Sequence, residues 1–239
     1  MITDHFKKLH AEYEASDLNL EDLGDGSFSI KGVLRSLEAY KGIEEELEFS
    51  LEILVPSDYP DIAPTVKETG GRIPRTIEHH VSEKDGTLCL ETRIGVAERF
   101  RKKPDLVGFV QNLVVHFLFR FVRIEKKMPD PFGEWRHGVD GLIDDYAKRL
   151  DLSDISIAYN FLFHLASRAS LRNGRCLCGS GKLLRRCHKE LLQKIANTVN
   201  NRTIFEDDFI DATNSLIKQK IPLSNQVIYL FKQLSARRA

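Results

Sequence analysis

Residues 47–66 read LEFSLEILVPSDYPDIAPTV, and the reading of the chain starts from them. Leu47, Phe49, Leu51, Ile53 and Val55 recur at every second position, with Glu48, Ser50, Glu52 and Leu54 between them. Successive side chains of a strand point to opposite faces, so this spacing predicts a strand with one buried face. One-sided burial is the habit of antiparallel sheets. Pro56, Pro60 and Pro64 follow, and each removes a backbone donor, so the ladder gives way to a turn. Ser27–Leu34, with Phe28 and Ile30, reads as a second strand, and Thr65–Glu68 as a third.

Working outward, Ile2, Phe6, Leu9 and Tyr13 share one side of a helical spacing, which predicts an amphipathic first helix. From Thr76 to Lys103 no period stands out, the pattern of a long irregular segment of the kind that carries function. Regular structure resumes at Pro104, read as a first helical residue, with Leu106, Phe109, Val110, Leu113, Val114, Phe117 and Phe121 at spacings of three and four. A turn-rich stretch, MPDPFGEWRHG, leads to a helix over Val139–Leu150. Beyond it the pattern is helical at Ser153–Ser170, Cys187–Asn197, Phe205–Ile217 and Ser224–Leu234, interrupted by RNGRCLCGSGK. The expectation is an α+β chain: an antiparallel sheet with helices over residues 1–150, then a helical region over 151–239.

Lysine plus arginine total 35, as do aspartate plus glutamate. No global field draws such a chain to nucleic acid or to an anionic membrane, so neither direct nucleic-acid binding nor membrane association is expected; local patches remain open. The N-terminus, MITDHFKKLHAEYEASD, lacks a secretory apolar core, and a cytoplasmic location is expected. Of four cysteines, Cys89 stands alone while Cys176, Cys178 and Cys187 cluster, which in a reducing compartment points to catalysis or metal binding rather than to disulfides.

Two separate stretches, VPSDYPDIAPTV (Val55–Val66) and HHVSEKDGTLCLE (His79–Glu91), resemble the ubiquitin-conjugating family. Pro56, Asp58, Tyr59, Pro60, Pro64 and Val66 match its P-x-D-Y-P-x-x-x-P-x-V turn. His79, Gly86, Cys89 and Leu90 match a histidine ten residues ahead of the cysteine of its G-x-x-C-L motif. The resemblance spans roughly residues 1–150 and implies that Cys89 carries an acyl group as a thioester. The chemistry agrees with the residue type: a thiolate attacks an activated carbonyl, and the thioester stays reactive towards amines. Gly86 is free to take positive φ and tighten the approach to the cysteine.

The chain departs from the family at its His-Pro-Asn triplet, which here reads His79-His80-Val81. The family's asparagine amide is assigned to stabilising an oxyanion, and valine has no donor with which to do so. His80 or His79 is then the candidate to donate a hydrogen bond or accept a proton, with loop architecture the favoured role for His79. Trp135, Arg136, His137 and Gly138 are read as a helix connection that borders the site at most.

RCLCGSGKLLRRCH closely resembles the SEC-C motif, placed at 174–190, with Cys176, Cys178, Cys187 and His188 at its ligand positions. The resemblance implies a structural zinc ion: three thiolates and an imidazole suit tetrahedral coordination and leave no open position for substrate. Lys182, Arg185 and Arg186 add a small basic face.

Taken together, the resemblances imply a bacterial ubiquitin-conjugating-like transferase, similar to components of short type II CBASS antiphage systems. It would accept a protein C-terminus, there that of a cGAS-like nucleotidyltransferase, and pass it to a lysine amine. No G-x-G-x-x-G or G-x-x-x-x-G-K-[ST] loop is present, so adenylation by this chain is not expected; the resemblance implies a separate activating enzyme, which some compact conjugation systems lack. The alternatives are a noncatalytic zinc-containing adaptor, which Val81 would suit, and a Cys-His hydrolase pairing Cys89 with His79, His80 or His137.

Overall fold

The computed structural model describes residues 1–133, 138–168, 174–199 and 202–238. The chain divides into two compact units, Met1–Trp135 and Arg136–Ala239.

The first unit opens with α1 (Ile2–Glu12), which buries Leu9. A meander follows: β1 (Asp17–Asp22), β2 (Phe28–Tyr40), β3 (Ile43–Val55) and β4 (Thr65–Glu68), antiparallel and in sequence order across the sheet. The alternation in β3 is realised: Leu47, Phe49, Leu51, Ile53 and Val55 are each at most 2% exposed. Burying each such side chain contributes about 1.5–3 kcal/mol. Register carries the pattern across the sheet, with Leu34 opposite Phe49 and Val66 opposite Ile53. The proline-punctuated turn after β3 holds a cis Tyr59–Pro60 bond. Tyr59 is buried there, its hydroxyl 2.6 Å from His5 Nδ1 of α1.

After the segment that carries Cys89 come α2 (Arg93–Lys102), α3 (Leu106–Phe109), a π-helical turn (Val110–Val114) and α4 (Val115–Glu125). All seven apolar positions expected to face the core there are buried. Leu106–Glu125 is long and apolar enough to cross a membrane by length and composition, yet it is mostly buried within the first unit and serves as its core helix. Pro104 is not its first residue. Asp105 caps the helix by accepting the Gly108 N–H at 2.7 Å, so helical structure begins at Leu106.

Two elements escaped the sequence reading. β1 offers only Leu18 and Leu20 among acidic and amide residues, and it exists because it pairs with the edge of β2. Gly32 makes that pairing close: a Cβ there would fall 1.6 Å from the Asp17 carbonyl oxygen, and its φ is +145°. In α2 the buried residues are only Ile94, Gly95 and Phe100, too few for a visible period. Its signal is the cap, Thr92, whose hydroxyl accepts the Gly95 N–H at 3.2 Å.

The second unit is helical: α5 (Gly138–Arg149), α6 (Ala158–Ser167), α7 (Lys189–Thr198), α8 (Thr203–Lys218) and α9 (Asn225–Ala236). The sequence reading set a boundary near residue 150; the compact units divide at Trp135 and Arg136, and α5 packs with α6 and α8. Tyr146 of α5 is fully buried and donates its hydroxyl to the equally buried Asp208 of α8 at 2.8 Å. That hydrogen bond ties α5 to the second unit in a way no local spacing reveals.

Gly32→Ala is expected to destabilise the first unit by roughly 2–3 kcal/mol, since backbone rather than a flexible side chain must move to admit the methyl. Urea unfolding followed by circular dichroism checks it, and an unchanged midpoint contradicts the close approach.

Candidate functional site

The segment around Cys89 is more regular than its sequence suggests. The Ser82 N–H donates to the Thr87 carbonyl and Val81 bridges to Leu88, so residues 81–88 form a short antiparallel flap. The Leu88 N–H donates to the Val66 carbonyl at 2.8 Å and Thr87 bridges to Lys67, which sews the flap onto β4. Alternation does the rest. Leu88 and Val81 are each 4% exposed and belong to the core, so the next residue, Cys89, faces solvent. The Cys89 N–H donates to the His80 carbonyl at 2.7 Å, closing the flap at the cysteine.

Gly86 has φ +75°, and a Cβ there would lie 3.0 Å from the guanidinium carbon of Arg75. The glycine therefore permits both the turn and the Arg75 contact. Asp85 closes the same turn, accepting the Thr87 N–H at 3.1 Å; a hydrogen bond with Ser82 holds its carboxyl below the usual range, helped by Thr87 and Lys67.

Although Cys89 is open to solvent, protein crowded round its thiol raises the thiol pKa. Arg93, the first residue of α2, pulls it down, and Asp85 pushes it up. Burial around the sulfur thus favours the protonated thiol, and two charges of opposite sign adjust it. The sequence reading named neither. Their signal lies in spacing alone, four residues to either side of the cysteine.

The two histidines take different places. His79 is half-buried, its Nδ1 2.9 Å from the Thr76 hydroxyl and its ring beside Phe121. His80 closes a 3-10 turn in the left-handed region, at φ 55° and ψ 42°, and is 9% exposed. It meets the cysteine through its carbonyl. Val81 points into the core. Trp135, Arg136 and His137 lie outside the described residues.

The second constellation lies within the second unit. Arg175 bridges to Leu183, and the Cys176 N–H donates to the Lys182 carbonyl at 2.7 Å, forming a tight knuckle. Its turn contains Gly179 and Gly181, at φ +76° and +72°. A 3-10 turn over Leu184–Arg186 then delivers Cys187 and His188 to the start of α7. The ligand atoms of Cys176, Cys178, Cys187 and His188 all lie within 4.8 Å of one another. His188 Nδ1 is 3.2 Å from Cys176 Sγ and 3.1 Å from Cys187 Sγ, and Cys178 Sγ is 3.6 Å from Cys187 Sγ. A tetrahedron on 2.3 Å metal–sulfur bonds has edges of about 3.8 Å, so this cluster could hold a metal ion.

Phe161 of α6 flanks the His188 ring at 5.2 Å between centroids. Ser180 draws the Cys178 thiol down to about 6, chiefly by hydrogen bonding, while burial pushes Cys176 up to about 11. Thiolate ligation would have to remove the proton that burial holds on Cys176.

Comparison of the chain with protein-family models, with curated proteins and with solved structures gives no match.

Two expectations follow. Alkylation of Cys89 by iodoacetamide should accelerate by about tenfold per pH unit from 7 to 8, because the thiolate fraction below the pKa rises in that proportion. Asp85→Asn should speed it and Arg93→Ala slow it; a rate flat across this range would show an ionised resting thiol. Metal analysis of freshly purified, reduced protein should find one tightly held divalent ion per chain. Cys178→Ser should lower that content and the stability of the second unit, and full retention would remove Cys178 from the ligand set.

Proposed function

We propose that this chain is a ubiquitin-conjugating-like acyl carrier, in which Cys89 takes up a protein C-terminus as a thioester and yields it to an amine. The observation that carries the reading is the outward-facing cysteine on a flap sewn to β4, in a unit that runs helix, four-stranded meander, flap, helices. The two stretches that resemble the family are thereby the turn after β3 and the flap itself.

In the first step the Cys89 thiol gives its proton to a base, and the thiolate attacks the carbonyl carbon of an activated carboxylate. A C–S bond forms and the activating group leaves with the electron pair. In the second an amine attacks the thioester carbon, the C–N bond forms, the C–S bond breaks, and the thiolate returns while the amine loses a proton to a base. Arg93 favours the thiolate in both steps, as the attacking group and as the leaving group. Oxyanion stabilisation at the family's asparagine position is not available, since Val81 lies in the core. His80 is the candidate replacement, and His79 a positioning residue held by Thr76.

The acyl donor in this reading is the C-terminus of a cGAS-like nucleotidyltransferase, the acceptor a lysine, the activating enzyme a separate protein, and the setting cytoplasmic antiphage defence. The metal is zinc in a structural role, held by Cys176, Cys178, Cys187 and His188, because three soft thiolates and an imidazole satisfy its four positions.

The second reading, a noncatalytic zinc-containing adaptor, draws support from the buried Val81 and the raised Cys89 pKa. One experiment separates the two. The full chain is incubated with a cognate activated donor, and adducts are followed by non-reducing electrophoresis and mass spectrometry. A reducible adduct on Cys89 that precedes product, and is lost in Cys89→Ala, is the expected result. Cys89→Ser should trap a reductant-resistant ester where loading tolerates serine, and His80→Ala should load but discharge more slowly. Product formation by Cys89→Ala would overturn the mechanism, and binding of the donor without any adduct would favour the adaptor.

A further inference from the structure

The three cysteines of the second unit are not equivalent. Cys176 is buried, at 5% exposure, and its sulfur lies against His188 Nδ1. Cys178 and Cys187 are half-exposed, with their sulfurs 3.6 Å apart. The Ser180 hydroxyl lies 3.2 Å from the first and 3.5 Å from the second. A disulfide holds its sulfurs at about 2.05 Å, so the pair need close by only about 1.5 Å. The intervening turn contains two glycines, Gly179 and Gly181, which leave its backbone less restricted than other residues would.

We propose that Cys178 and Cys187 form an oxidation-sensitive pair, which hydrogen peroxide converts to a single disulfide while Cys176 stays reduced, and that this linkage dismantles the metal site. One thiolate attacks a peroxide oxygen: the S–O bond forms, the O–O bond breaks, and hydroxide leaves and is protonated to water. The second thiol attacks the resulting sulfenic sulfur, the S–S bond forms, the S–O bond breaks, and a second water departs with the thiol proton. Two electrons pass from the sulfurs to peroxide. Disulfide sulfurs no longer offer thiolate donors, so Cys176 and His188 alone remain, too few to retain an ion held by four ligands. A dithiol reductant reverses the linkage, and the metal can then return.

The test uses the full-length chain carrying Cys89→Ala, so that thiol readouts report the second unit alone. Purified protein is exposed to hydrogen peroxide, quenched by alkylation and mapped by mass spectrometry, with metal release followed by a chromogenic chelator. A Cys178–Cys187 linked peptide should appear in step with one released ion per disulfide, Cys176 should be recovered alkylated, and dithiothreitol should reverse both changes. Linkage through Cys176, release that precedes the disulfide, or sulfinic acid formed without any disulfide would overturn the proposal. Protein that carries no metal yet forms the linked peptide would uphold the pair assignment while the metal reading fails.

Discussion

The buried face of β3 is the surface on which the first unit is assembled. Leu47, Phe49, Leu51, Ile53 and Val55 present one apolar row, and that row sets everything placed against it. β2 and β4 pair with its two edges, in registers that keep Leu34 and Val66 on the same buried side. The helical segment Leu106–Glu125 belongs to the same core and presents its own apolar residues there. A slip of one residue in β3 would turn the whole row to solvent, so the register is strongly specified.

The Cys89 site inherits its geometry from that sheet. Once β4 lies beside β3, its Val66 carbonyl and the main chain at Lys67 are left to receive the flap. Leu88 then drops into the core, and the alternation of an extended chain turns Cys89 outward. The same rule turns Val81 inward. A single packing requirement thus exposes Cys89 and buries Val81. The charges that tune the thiol are placed by other means: Asp85 by its own turn, and Arg93 by the capped start of α2.

The knuckle of the second unit works by a different economy. Its segment is too short for a core of its own, and the turn glycines, a few backbone hydrogen bonds and the packing of Phe161 on His188 hold it in shape. Four ligand atoms within 4.8 Å concentrate donors where a metal ion would add the missing cohesion. The proposed Cys178–Cys187 linkage would withdraw two of those donors.

Much of this was legible in the sequence because the deciding forces there are local. Period-two alternation in β3, the helical spacing from Leu106 to Phe121, and the close spacing of Cys176, Cys178, Cys187 and His188 each follow from geometry within a few residues. Other features needed the folded chain. β1 is a strand, and the flap is bridged to β4, because a partner edge satisfies their backbone groups and not because their own residues insist on it. The Tyr146–Asp208 hydrogen bond that assigns α5 to the second unit joins residues sixty-two apart, and the burial of Val81 and His80 depends on where β4 receives the flap. Sequence by itself determined which residues are chemically able; tertiary structure decided which of them reach solvent and which charges face them, because burial and electrostatic fields are properties of neighbours distant in the chain.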